Sequence, residues 1–96
     1  MKFSNVVRFK AKPGKFDTLV DILSQSREFE GMLQSILVKT GEDTACSIGI
    51  WESEAAIVNA RPQMIALLDT MRDHLETLSD ELGVTDPVSG PIIHET

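Results

Sequence analysis

The run Thr44-Ala45-Cys46-Ser47-Ile48-Gly49-Ile50-Trp51-Glu52-Ser53 most constrains the fold. It is apolar, it follows the turn residues Gly41-Glu42-Asp43, and it leads straight into a helix start, which is the pattern of a buried strand. Alternation divides it into two faces, with Cys46, Ile48 and Ile50 on one and Ala45, Ser47, Gly49 and Trp51 on the other. The bulky aliphatic face is the one expected beneath covering helices. The small face leaves room for another sheet, another chain or a ligand. Ser53 is a strong N-cap, because its hydroxyl can accept from an orphan amide of a helix beginning at Glu54, whose carboxylate also suits a first turn.

The chain before this run reads as strand, helix, strand. Lys2 to Lys12 alternates, placing Phe3, Asn5, Val7, Phe9 and Ala11 on one side. Asn5 is the polar exception on that apolar side, and such an amide either bonds to a neighbouring backbone group or points into a pocket. Pro13-Gly14 ends the strand, and Phe16, Leu19, Val20 and Leu23 then recur at helical spacing, predicting a helix that ends near Arg27 to Phe29. Glu30-Gly31 turns the chain into a second strand over Met32 to Thr40, and the short Gly41-Glu42-Asp43 link makes a hairpin with the central run.

After Ser53 a first helical piece runs from Glu54 to Ala60, and Pro62 predicts a break or a fresh start. Met64, Leu67, Leu68, Met71, Leu75, Leu78 and Leu82 then form one apolar stripe, so a long helix is expected up to Gly83. Pro87 and Pro91 prevent its resumption, and the segment from Val84 to His94 reads as a loop followed by a short strand-like end. The sum is β-α-β-β-α-β, an α+β ferredoxin-like arrangement with one antiparallel sheet and two helices on one of its faces.

Ninety-six residues with 42% hydrophobic content suit a single domain over 1–96. A formal charge of −6 opposes binding to nucleic acid or to anionic lipid, and no apolar run is long enough for a membrane span. The opening Met1-Lys2-Phe3-Ser4-Asn5 enters a strand pattern without a charged-then-apolar leader, so a cytoplasmic location is expected. Cys46 is the one cysteine, which excludes an internal disulfide, and its aliphatic surroundings point to a buried, unreactive thiol. Two histidines and one cysteine, widely spaced, make no metal-ligand pattern. A sheet covered on one face must bury the other, and a second copy of the chain does this most economically, so a homodimer through the sheet face is expected.

The Pro13-Gly14 turn, the Glu30-Gly31 turn, the Ile48-Gly49-Ile50-Trp51-Glu52-Ser53 passage and the long second helix together resemble the antibiotic biosynthesis monooxygenase domain family of the dimeric α/β-barrel superfamily. The resemblance covers nearly the whole chain. It implies a homodimer with a pocket between sheet and helices, and an oxidation of small aromatic or polyketide-like substrates by molecular oxygen with no flavin, haem or metal cofactor. In such chemistry the substrate is itself the reductant, so the protein need only bind it, favour its deprotonated form and hold oxygen nearby. The superfamily also includes haem-degrading enzymes, lactone isomerases and members without known activity, so a non-catalytic dimeric module that binds a small ligand or acts as an accessory or stress-related protein stands as the alternative.

Asn5, Trp51, Asn59 and His74 are the candidates for lining the pocket. Trp51 matches the family's junction tryptophan, which packs as a core anchor or stacks on a substrate. His74 is the one group titrating near neutral pH that could border a pocket, and Asn59 and Arg61 lie at the expected helix break. Haem degradation is disfavoured: Ala60 stands where that branch carries a second tryptophan, and Asn5 is out of step with its strand-one asparagine. Arg72 is explained by helix ion pairs with Asp69 and Glu76.

Overall fold

The computed structural model describes residues 1–25 and 29–96. Strand β1 spans Phe3–Lys10, helix α1 Phe16–Ser24, β2 Met32–Lys39, β3 Thr44–Trp51, helix α2 Glu54–Asp69 and β4 Asp86–Pro91. The strands lie in the order β2-β3-β1-β4 with every pairing antiparallel, which is the ferredoxin-like arrangement expected. The described part of α1 stops at Ser24, with Gln25 already extended; of the expected end at Arg27 to Phe29, Arg27 lies outside the described residues and Phe29 is not helical.

Local chemistry accounts for most of these boundaries. Ser53 caps α2 as expected, its hydroxyl accepting from the Ala56 amide at 3.2 Å. Gly31 has φ of 83°, and a side chain there would meet the Ala56 Cβ at 2.5 Å, so the turn into β2 depends on glycine for both conformation and space. Pro87 and Pro91 fit within β4 because it is an edge strand. Ile92 donates inward to the Lys2 carbonyl, so the odd-numbered prolines turn their missing N–H groups outward.

Two expectations about the second helix are corrected. Pro62 does not break it: α2 is continuous through Pro62. The acceptor left without a partner is the carbonyl of Val58, an exposed position where water can bond it. The helix also ends far short of Gly83, at Asp69, followed by a 3-10 turn over Arg72–His74. The cause is the free edge of the first strand beyond Arg8, where pairing with β4 ends. Here the Glu76 amide donates to the Lys10 carbonyl at 2.8 Å, the Lys12 amide donates to the His74 carbonyl at 2.9 Å, and Leu75 bridges Ala11. These bonds use the backbone groups that a helix would need. Leu78 and Leu82 accordingly stand exposed on a turn closed between Ser79 and Gly83, not on a helical stripe. Arg72 keeps its expected partner, donating to Asp69 at 2.7 Å.

The assignment of the sheet faces is also corrected. The helices cover the small face of β3, so that Phe3, Asn5, Val7 and Phe9 of β1 and Ala45, Ser47, Gly49 and Trp51 of β3 face inward together. The aliphatic face, with Cys46, Ile48 and Ile50, is the open one, and Cys46 is half-buried on it rather than enclosed. The helices bring their own bulk, including Leu19, Leu23, Leu67 and Met71, and need small partners beneath them. Across the open face Ile36, Ile48, Val6 and Val88 are in register, forming one β-branched row over all four strands. Beside that row Arg8 donates to Asp86, and this hydrogen bond, reinforced by the opposite charge, holds the guanidinium pKa above its ordinary value.

Candidate functional site

The inner face of the sheet changes character along its length. One end carries Phe3, Trp51 and Met32 in register, and the other carries Phe9 beside Ala45. Between them the registered residues are Asn5, Gly49 and Ser35, then Val7, Ser47 and Leu37. The buried core divides accordingly into a cluster around Phe9, Ala11, Leu19, Met71 and Leu75 and another around Phe3, Trp51, Ile57 and Ala60. A cavity of about 690 Å³ lies between sheet and helices, lined by residues associated with both clusters. Its size suits a small organic ligand.

The lining is mostly apolar, with Leu19, Leu23, Phe29, Met64, Leu67 and Met71 contributed from the helical side. Asn5, Ser35 and Ser47 supply polar groups from the sheet, Thr85 from the approach to β4, and Gln25 and Arg61 from the helices and their ends. Arg61 is the one charged side chain among the described lining residues.

Asn5 and Trp51 are brought together at the wall of this cavity. The Trp51 indole Nε1 donates to Asn5 Oδ1 at 2.7 Å, and the indole is fully buried. Phe29 stacks on it with ring centroids 6.2 Å apart. Gly49 makes the bond possible: a Cβ at this position would collide with Asn5 Oδ1 and lie 2.8 Å from Trp51 Nε1. The partner of Asn5 is thus a distant side chain and not a neighbouring backbone group, and Asn5 is among the residues that line the cavity. Trp51 is not itself among the lining residues; it acts on the cavity through Asn5 and Phe29.

Asn59 and His74 lie elsewhere. Asn59 is exposed on α2, and His74 belongs to the 3-10 turn whose carbonyl closes onto Lys12. The early end of α2, at Asp69, leaves His74 outside that helix. Among the described residues no group of three or more His, Cys, Asp or Glu side chains gathers where a metal ion could be held. Ser35, Ser47 and Gly49 were not singled out as site residues, although the alternation of β3 already showed its small face. What was lacking was the register that sets these residues beside Asn5.

Comparison with known proteins extends this description. No protein-family model matches the chain, and no curated protein matches it. Solved structures match it over nearly its full length. A candidate antibiotic biosynthesis monooxygenase from Chloroflexus aurantiacus is 15% identical, covers 100% of this chain and 97% of its own, and has a TM-score of 0.75. The ActVA-Orf6 monooxygenase of Streptomyces coelicolor, in complex with nanaomycin D, is 24% identical over 98% of this chain and 89% of its own, with a TM-score of 0.72. SnoaB, a cofactor-independent oxygenase from Streptomyces nogalater, is 12% identical over 98% and 95%, with a TM-score of 0.68. The chain thus has the ferredoxin-like α+β fold of structures described as antibiotic biosynthesis monooxygenases.

Proposed function

We propose that this chain is a cofactor-independent monooxygenase-like protein that takes a small aromatic or polyketide-like substrate into the cavity between its sheet and helices, as a cytoplasmic homodimer. The observation that carries this is the cavity itself: an apolar space of about 690 Å³ with an amide at its wall. The fold shared with two oxygenase structures, one of them holding nanaomycin D, supports it.

The chemistry asks little of the protein. An anthrone loses the two hydrogens of its CH2 group and gains one oxygen atom of O2 as a carbonyl, while the second oxygen atom leaves as water; the substrate supplies all four electrons. Deprotonation of that CH2, whose carbanion is conjugated through the fused rings to the carbonyl across the central ring, starts the reaction, and a hydrogen-bond donor at the resulting enolate oxygen stabilises it. In this reading the Asn5 amide, at the cavity wall, supplies that donor. The apolar walls keep water from the carbanion and give oxygen a place to dissolve. The sheet's open face, with its row Ile36, Ile48, Val6 and Val88, supports the dimer, since an apolar face of this extent is normally covered by a partner.

One observation favours the alternative, a non-catalytic module that binds a small ligand. The described lining holds no carboxylate or imidazole to take a proton, with Asn59 and His74 both outside it. Oxygen consumption decides between the two. With anthrone and a series of phenols, the oxygenase predicts uptake stoichiometric with quinone formation, abolished by Met64→Trp, which fills the cavity from the helix side. Binding of the same compounds without oxygen uptake would assign the module instead.

A further inference from the structure

The hydrogen bond at the cavity wall has a direction, and the direction restricts the ligand. An indole N–H can only donate, so the atom of Asn5 that meets Trp51 Nε1 at 2.7 Å must be the amide oxygen. The carbonyl of Asn5 is thereby engaged in a bond to a fully buried ring. The amide nitrogen is left with both of its hydrogens: the side-chain bonds among the described residues do not use them, and the nitrogen is not a buried group without a partner. Asn5 is at the same time a lining residue. Of its two cross-strand neighbours on that face, Gly49 has no side chain and Ser89 makes no hydrogen bond to it among the described residues, while the nearby Ser4 hydroxyl belongs to the opposite face and donates to the Gly49 carbonyl at 2.9 Å.

We propose that Trp51 is a positioning residue which, with Gly49, fixes the orientation of the Asn5 amide so that its NH2 group is kept as a hydrogen-bond donor to the cavity. An unrestrained asparagine can flip and serve either kind of ligand; a locked one discriminates. The ligand class that fits is a planar apolar body carrying a carbonyl or an oxyanion, in preference to the hydrocarbon of the same shape. This inference rests on the cavity being a ligand site, as proposed above, but not on any oxidation taking place there.

The test uses three compounds of one shape: fluorenone, which has only an acceptor, fluorene, which has neither, and fluorenol, whose hydroxyl can serve as either. None of them requires turnover. Trp51 is the only tryptophan, so its indole N–H gives one resolved cross-peak that reports the lock directly. In the unaltered protein fluorenone should bind about tenfold more tightly than fluorene, the ratio expected for one good hydrogen bond at a mostly apolar site. Asn5→Asp keeps an acceptor for the indole while removing the donors. It should leave the indole cross-peak in place, bring fluorenone down to the level of fluorene or below, and retain fluorenol. Gly49→Ala should shift the indole cross-peak towards that of a free indole and remove the preference for fluorenone, with fluorene binding little changed. Equal affinity of the unaltered protein for fluorenone and fluorene overturns the inference while leaving the cavity as a ligand site. So does an Asn5→Asp variant that weakens all three compounds alike, since that is the mark of a merely structural residue. If none of the three binds, the cavity is no ligand site and the proposed function falls with it.

Discussion

Ser35, Gly49, Asn5 and Ser89 form one row across the sheet, while Ile36, Ile48, Val6 and Val88 form the adjacent row, one residue along each strand and on the opposite face. The first row is small and polar and lies on the side that the helices cover. The second is β-branched throughout and lies on the side that the helices do not cover, with Val88 61% and Ile36 40% exposed. Apolarity of a strand face therefore does not tell which layer lies over it. Beneath the helices, large side chains come from the helices themselves, and small ones on the sheet leave a cavity. On the open face the sheet must supply all the apolar area, and a second copy of the same face would match it row for row.

This contrast can be broken from either side. The largest effect is expected for Trp51→Ala, which empties the fully buried anchor of the covered face and should cost about 3–5 kcal/mol in chemical denaturation. Next comes Ile48→Asp at the centre of the open row. It should weaken self-association by at least about 100-fold, equivalent to about 2.7 kcal/mol, in sedimentation at micromolar concentration, with the circular dichroism of the fold retained. A protein already monomeric before the substitution would instead sink the dimer. Ser47→Val sharpens the comparison by making the covered face resemble the open one. It should lower the affinity for fluorenone about tenfold, near 1.4 kcal/mol, while changing stability by less than about 1.5 kcal/mol. Leu82→Ser is expected to be nearly neutral, within about 0.5 kcal/mol, because this leucine belongs to neither face. A loss of several kcal/mol there would show that the turn is packed in a way its exposure does not suggest.

Legibility in the sequence followed the range of the interactions involved. Ser53, Gly31 and the 44–51 run act within a few residues, and the cap, the turn and the strand all lie where local chemistry puts them. The leucine stripe beyond Met71 was misleading because its period is a genuine helical signal that loses to distant backbone groups. Lys10 and Lys12 offer partners that the sequence at 74–76 does not announce. Asn5 could be singled out as a polar residue on an apolar side, but its partner lies 46 residues away, and its role depends on a glycine opposite it.

The order of strands and helices, their caps and turns, the acidic charge and the likeness to a known fold were determined by the sequence alone, since each depends on neighbours in the chain or on overall composition. Which face of the sheet the helices would cover, where α2 would end, and which residues would meet around the cavity were decided only by the tertiary structure. The reason is physical. Alternation assigns side chains to two faces without saying which is inside, and that choice depends on the bulk the helices bring and on backbone donors and acceptors that only the folded chain places within reach.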